Sequence, residues 1–238
     1  MKILWAITGA GHLLKESIDV LEKISVKHEI TLTYTPAAKE VIELYGLDKN
    51  IKEILSNNPK NKIITEEEQR FSYPFSGKIT HHKYDLVVIS PLTANTTAKI
   101  VCGIADNLVT NIVAQSAKGQ IPALAVPVDQ KEGVITTIIP PYIDKKLCNI
   151  CGVCINECTF NAIKPPEIDM QKCTSCKKCE DICPNNAIKI GEKLELYIRK
   201  LDADNAQKLG EIENINVVNH PYDVLVHINR LNKKKELG

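Results

Sequence analysis

Eight of the chain's nine cysteines fall between Cys148 and Cys183. They form two copies of one pattern. Cys148, Cys151, Cys154 and Cys158 are spaced C-x2-C-x2-C-x3-C, and Cys173, Cys176, Cys179 and Cys183 repeat that spacing 25 residues later. Three thiolates this close in sequence can wrap one side of a cubane [4Fe–4S] cluster, whose fourth iron then needs a thiolate from elsewhere in the chain. Structural zinc is served instead by two cysteine pairs with a longer spacer. Disulfide staples belong to small secreted domains, and a chain of 238 residues buries a core without them. Iron–sulfur chemistry is therefore expected. The ninth cysteine, Cys102, sits among Ile100, Val101 and Ile104 and is expected to be a small buried hydrophobe in a helix.

The repeat resembles the bacterial-type two-cluster ferredoxins. The resemblance implies that each cluster takes its fourth thiolate from the other copy. One cluster would then be held by Cys148, Cys151, Cys154 and Cys183, the other by Cys173, Cys176, Cys179 and Cys158. Pro184 follows the last cysteine of the second copy, as the ferredoxin pattern has it, whereas Thr159 stands at the matching place in the first. A local difference in chain geometry is expected there, without loss of a ligand. Clusters of this class reach potentials of about −400 mV or below. Lys177 and Lys178 either favour the more negative, reduced form of the second cluster or are simply solvated.

A second group of residues points to a phosphate-bearing ligand. The first apolar run ends in Thr8-Gly9-Ala10-Gly11-His12 and leads into a helical pattern, so backbone N–H groups can approach an anion there. Leu14 replaces the third glycine of a dinucleotide fingerprint, and the second run ends in Tyr34-Thr35-Pro36 with no acid for a ribose. The Thr35 hydroxyl can donate to a terminal phosphate, which a carboxylate would repel. After the run at Leu86–Ser90 come Pro91, Leu92, Thr93, Ala94, Asn95, Thr96 and Thr97, small or polar groups at the end of a strand. Thr93 or Asn95 could equally serve only as a helix cap.

These segments, with Gly103-Ile104-Ala105-Asp106, resemble the signature regions of the flavoprotein superfamily that includes phosphopantothenoylcysteine decarboxylase, peptidyl-cysteine decarboxylases and flavin prenyltransferases. The resemblance covers about residues 1–130 and implies FMN bound at the subunit interfaces of a homo-oligomer. The FMN-binding residues it implies are Thr8, Gly9, Ala10, Gly11, Thr35, Ser90, Thr93, Ala94, Asn95 and Thr96. Two departures weigh against decarboxylation. The family's catalytic histidine would fall on Gly77, since His81 and His82 lie too near the following strand and read as surface residues. Its Pro-x-Met-Asn motif is Pro127-Val128-Asp129-Gln130 here, and a carboxylate at Asp129 would repel an acid substrate. A flavin domain followed by a two-cluster module resembles a narrower group, the archaeal iron–sulfur flavoproteins and acceptor-type dihydromethanopterin reductases. That resemblance implies an oxidoreductase that takes electrons from a ferredoxin-like or other low-potential donor through two [4Fe–4S] clusters to FMN, and on to a pterin, dihydromethanopterin. The alternatives are a relay between protein partners and, less favoured, a cysteine-type decarboxylase. No catalytic residue is assigned; the proton source at the flavin is Asp129, His12 or water.

The elements that must position these groups follow from periodicity. Ile3–Ile7, Ile30–Tyr34, Leu86–Ser90 and Ile121–Val126 are short, rich in β-branched residues and apolar on both faces, as buried parallel strands are. Helical patterns at Leu13–Val26, Ala37–Tyr45, Ala94–Cys102 and Asn107–Lys118 separate them. The expected class is α/β, a doubly wound parallel sheet with an inserted two-cluster ferredoxin module. The polar stretch 57–82 reads either as a loop excursion or as carrying one short strand, Lys62–Thr65. The α/β texture returns after Lys193, with strands at Leu194–Ile198 and Ile215–Val218 and helices at Ala203–Leu209 and Tyr222–Leu231. Expected domains are 1–135 for the flavoprotein part, 136–191 for the cluster module, and 192–238 packing back on the first part. The Lys233–Lys235 run reads as a solvated tail.

Composition narrows the setting. A net charge of +1 and only three arginines, Arg70, Arg199 and Arg230, leave no electrostatic footprint for nucleic acid or an anionic membrane. No stretch is long and apolar enough to span a bilayer, the N-terminus has no signal-peptide pattern, and reduced thiols fit a cytoplasmic protein.

Overall fold

The structure, a computed structural model, describes residues 1–69, 72–81 and 84–236. Arg70, His82 and the side chains of Lys233–Lys235 lie outside the described set. In chain order the elements are β1 (Lys2–Ile7), α1 (Leu14–Ser25), β2 (Glu29–Tyr34), α2 (Pro36–Leu44), α3 (Asp48–Ser56), β3 (Lys62–Thr65), α4 (Pro74–Ile79), β4 (Leu86–Leu92), α5 (Ala94–Val101), α6 (Leu108–Lys118) and β5 (Ala123–Pro127). Then come β6 (Gly133–Ile138), β7 (Tyr142–Ile143), α7 (Val153–Glu157), β8 (Ile163–Lys164), β9 (Glu167–Ile168), α8 (Lys178–Asp181), β10 (Ile188–Lys189), β11 (Lys193–Ile198), α9 (Lys200–Leu209), β12 (Ile215–Val217) and α10 (Pro221–Glu236).

The chain divides into two compact units. One comprises Met1–Val41, Asn50–Gly133 and the described residues from Tyr197 on; the other comprises Ile42–Lys49 and Val134–Leu196. The first is built on a six-stranded sheet in the order β12-β5-β4-β1-β2-β3. Every neighbouring pair runs parallel. Strands β1, β4 and β5 are apolar on both faces because helices cover both. Helix α1 buries Leu14, Ser17, Ile18, Leu21 and Ile24, a stripe at helical spacing. A capping box, Asn107 with Thr110, starts α6. From β1 the chain builds outward to β2 and β3, then returns to the other side of β1 for β4, β5 and β12. That reversal opens a crevice at the carboxyl ends of β1 and β4, where open α/β sheets bind ligands. The residues expected to bind flavin follow these strand ends.

The second unit is small and symmetric. β7 pairs antiparallel with β10 and β8 with β9, over a core of Ile143, Cys154, Ile163, Cys179, Ala187, Ile188 and Ile190. Its backbone repeats with the 25-residue period of the sequence. Ile150 and Ser175, Gly152 and Lys177, and Asn161 and Asn186 are paired positions with positive φ.

Some expectations need correction. Cys102 is exposed, not buried. α5 ends at Val101, and Cys102 is its C-cap before Gly103, whose φ of +71° turns the chain away. The short strand expected at Lys62–Thr65 is present as β3, at the edge of the sheet, whereas the helix α4 within 57–82 and the strand β6 were not foreseen. Partners elsewhere in the chain, rather than local propensity, account for these short elements.

Candidate functional site

The crevice is assembled by backbone and hydroxyl contacts across the two strand ends. The Thr8 hydroxyl donates to the Pro91 carbonyl at 2.9 Å and accepts from the Thr93 N–H at 2.8 Å. Thr8 is 1% exposed, so its side chain lies beneath the site and joins its two loops. Ser90 is likewise buried; its hydroxyl meets that of Ser17 at 2.8 Å and its carbonyl accepts from the Trp5 indole. Both residues hold the crevice in shape. Gly9 packs against the first turn of α2: a Cβ there would stand 2.7 Å from the Ala37 Cβ and 3.0 Å from its carbonyl carbon. Ala10 is buried and Gly11 half-buried, on the turn before α1.

Thr35 accepts the Ala38 N–H at 3.2 Å and so caps α2; a hydroxyl that accepts one bond keeps its own proton to donate. Thr93 caps α5, accepting from the Thr96 N–H at 3.3 Å, and its hydroxyl meets that of Thr96 at 3.1 Å. The capping role foreseen as the alternative is therefore present, together with a cluster of hydroxyls at the strand end. Asn95 is exposed on the first turn of α5 and Ala94 half-buried beside it. Burial, then Asp202, pushes the Asp129 carboxyl above its ordinary range, with His12, the Ala94 N–H and Arg199 opposing. His81 is exposed, on the surface as expected. Sequence reasoning missed Gln130, whose amide donates to the carbonyls of Pro127, Val218 and Asn219 at 2.8, 3.1 and 3.1 Å and ties the turn after β5 to the turn after β12. Nothing in its sequence neighbourhood announces that role.

In the cysteine unit the two copies exchange contacts. The Asp144 N–H, ahead of the first copy, donates to Ala187 at the end of the second, and the Asp169 N–H, ahead of the second, donates to Ala162 at the end of the first, both at 2.7 Å. The exchange carries each final cysteine across to the other copy. Cys148, Cys151, Cys154 and Cys183 line one cavity, together with Ile143, Pro165 and Ile188. Burial pushes the Cys154 thiol up, and the charges of Cys183, Cys151 and Cys148 add to it. Burial likewise pushes Cys179 up to about 11, with Cys173 and Cys158 as its charged thiol neighbours. Cys176 is exposed on the same loop. The Ala162 and Ala187 N–H groups point at the Cys158 and Cys183 sulfurs, each at 3.3 Å. Such N–H···S bonds stabilise thiolates. None of the nine cysteines is in a disulfide. Among the described residues no three His, Cys, Asp or Glu side chains converge on a single ion. The donor set fits a four-iron cube because Cys148, Cys151, Cys154 and Cys183 line one cavity and backbone N–H groups meet the last sulfur of each copy.

Comparison with known proteins agrees with this geometry. The flavoprotein family model matches residues 1–137, and a 4Fe-4S binding domain model matches residues 166–189, the second cysteine copy. The class is thus an iron–sulfur flavoprotein, a doubly wound flavin domain joined to a ferredoxin-like module. Dihydromethanopterin reductase (acceptor) of Methanocaldococcus jannaschii is 45% identical over 236 residues, 96% of each chain. The protein of the same name from Methanosarcina mazei is 38% identical over 233 residues, 94% of this chain and 97% of its own. The chain belongs to this family of oxidoreductases. Burkholderia xenovorans DmrB in complex with FMN, described as a cubic protein cage for redox transfer, shares the fold with a TM-score of 0.64 at 23% identity, over 99% of this chain and 97% of its own.

Proposed function

We propose that this protein reduces dihydromethanopterin to tetrahydromethanopterin with electrons from a ferredoxin-like or other low-potential donor, using two [4Fe–4S] clusters and FMN. The observation that carries the reading is the presence, in one chain, of a cavity lined by Cys148, Cys151 and Cys154 of the first copy with Cys183 of the second, and of hydroxyl-bearing strand ends at the reversal of the sheet. The names of the two archaeal relatives supply the pterin. When bound, the clusters supply single electrons and the flavin joins two of them into a hydride equivalent. The chain's part is to hold and insulate. Cys148, Cys151, Cys154 and Cys183 would hold one cluster, and Cys173, Cys176, Cys179 and Cys158 the other, with Ile143, Ile163, Ile188 and Ile190 excluding water between them. The Gly9–Gly11 turn, Thr35 and the Thr93–Thr96 turn would hold FMN. Family resemblance supports a homo-oligomer with FMN at a subunit interface. The domains are read as 1–135, 136–191 and 192–238, and the setting as the cytoplasm, where cysteines are kept from forming disulfides.

The test is anaerobic. Purified protein should contain flavin, and replacing Cys158 by Ser should lower iron and sulfide by about half, because one cube loses a corner ligand. Stopped-flow mixing of reduced protein with dihydromethanopterin should oxidise the flavin. Fast oxidation by a protein acceptor and none by any pterin would show a relay instead. Release of carbon dioxide from a cysteine-containing acid would restore the decarboxylase.

A further inference from the structure

We propose that an acidic electron-carrier protein docks on the rim of the second cysteine copy, against Lys177 and Lys178, and that electrons enter the chain there. This donor surface rests on the reductase reading above, which calls for a low-potential protein donor.

The two halves of the cysteine unit share a backbone but not a surface. Positions 25 residues apart correspond. Around the first copy the side chains of Leu147, Ile150 and Val153 are 46%, 63% and 37% exposed. Their counterparts are Lys172, Ser175 and Lys178, and Gly152 corresponds to Lys177; all four of those second-copy residues are exposed. The short links between the first three cysteines carry the difference. Asn149-Ile150 and Gly152-Val153 have no charge, whereas Thr174-Ser175 is followed, after Cys176, by the cations Lys177 and Lys178. Cys176, between those two links, is itself exposed. Permanent interfaces are the more apolar ones, whereas charge on a rim steers brief diffusional encounters. The second rim is therefore the one suited to a carrier that comes and goes.

Backbone geometry singles out Lys177. Its φ is +67°, in the left-handed region, and Gly152 holds the same place in the first copy with φ +80°. Glycine adopts that conformation freely, and a residue with a side chain does so under strain. The second copy thus places a cation, against its backbone preference, where the first has no side chain at all. Strain of this kind gathers at functional positions.

Neighbouring charges leave the two cations available. Lys172 is held by Asp169 at 3.0 Å. The Glu180 carboxylate accepts the Ile190 N–H at 3.1 Å. Asp181, exposed at the end of α8, offsets one lysine in part. Among the described residues neither Lys177 nor Lys178 forms an ion pair. Carboxylates on a partner can supply what the chain does not. Each encounter moves one electron: the carrier is oxidised by one, the centre held by the second copy is reduced by one, and no bond or proton is exchanged. Two encounters deliver the pair that the acceptor takes.

The test mixes the anaerobic holoprotein with a reduced acidic ferredoxin in a stopped flow and follows reduction of the flavin. The wild-type rate constant should fall about 10-fold from low to high salt, as screening removes the steering. The Lys177→Gln/Lys178→Gln variant should be about 10-fold slower at low salt and converge with the wild type at high salt. Lys145→Gln/Lys146→Gln removes the same charge from two exposed residues ahead of the first copy and should match the wild type. Without any electron transfer, a carbodiimide should join Lys177 or Lys178 of the unaltered holoprotein to carboxylates of the oxidised ferredoxin, as read by mass spectrometry of the digested adduct. That measurement decides the case even where a variant loses its clusters. A variant slower at every salt concentration shows that the lysines act on the cluster's potential, and it overturns docking. Equal losses in both variants, or cross-links confined to other lysines, overturn it too. The reductase reading fails separately, where the reduced protein leaves dihydromethanopterin unreduced; salt dependence and cross-links then still decide the docking.

Discussion

Gly9 shows how a single missing atom sets the crevice. Its turn lies so close to α2 that a methyl group would press on Ala37 at 2.7 Å, a separation that real Cβ atoms do not tolerate. The obstacle includes backbone, so one side must move. Gly9→Ala should cost about 1–3 kcal/mol through overpacking and weaken flavin retention more than it lowers stability, because the displaced turn is the one that would meet the flavin. Urea melts and flavin titration of the variant check this; unchanged flavin affinity would remove Gly9 from the site. Thr8 and Ser90 teach the complementary point. The residue types that bind a ligand also build its support, and only their burial, with every hydroxyl engaged, shows that they support.

At the scale of elements, the turn between α1 and β2 carries a pH-sensitive join. The His28 ring lies 3.4 Å from the N-terminal amine and 3.3 Å from the Asn232 amide of α10. Burial, then the N-terminal ammonium and Lys27, pushes its pKa below 6.5, with Asp85 opposing. The folded state therefore binds its proton later than the unfolded chain as pH falls. The contribution of His28 is complete above pH 6.5 and is lost as the pH drops through the lowered folded value. The melting temperature should fall between pH 7 and pH 5, and His28→Gln should make that fall smaller. An equal fall in the variant would show that other groups account for it.

At the scale of the whole molecule, the sheet is completed by residues remote in sequence from its centre. β12 pairs with β5 through Ile215–Ala123, Asn216–Leu124 and Val217–Ala125. α9 packs on α5, and α10 on α1. A chain ending at Leu196 would leave the edge of β5 and the apolar faces of α1 and α5 open to water, and open edges invite association. That truncated chain should precipitate or bind a hydrophobic dye strongly. A soluble, monomeric, flavin-binding product would show that the C-terminal segment is dispensable.

Read by itself, the amino-acid sequence determined the chemistry of the cysteine pattern and the class of the fold. Ligand spacing is a local property, and the two-residue and helical periodicities of buried strands and amphipathic helices are printed in the chain. It also showed the resemblance on which the flavin reading stands. Tertiary structure alone decided the rest. The exchange of hydrogen bonds between Asp144 and Ala187, and between Asp169 and Ala162, joins residues 43 and 7 positions apart. Only that closure brings Cys183 to the first copy's cavity. Helix termination exposed Cys102, and α4 formed within a stretch that reads as polar loop. The turn after β5 is tied down by the Val128 N–H on the Leu92 carbonyl and by the Gln130 amide on the carbonyls of Pro127, Val218 and Asn219, contacts that form only when separate strand ends come together at one edge of the sheet.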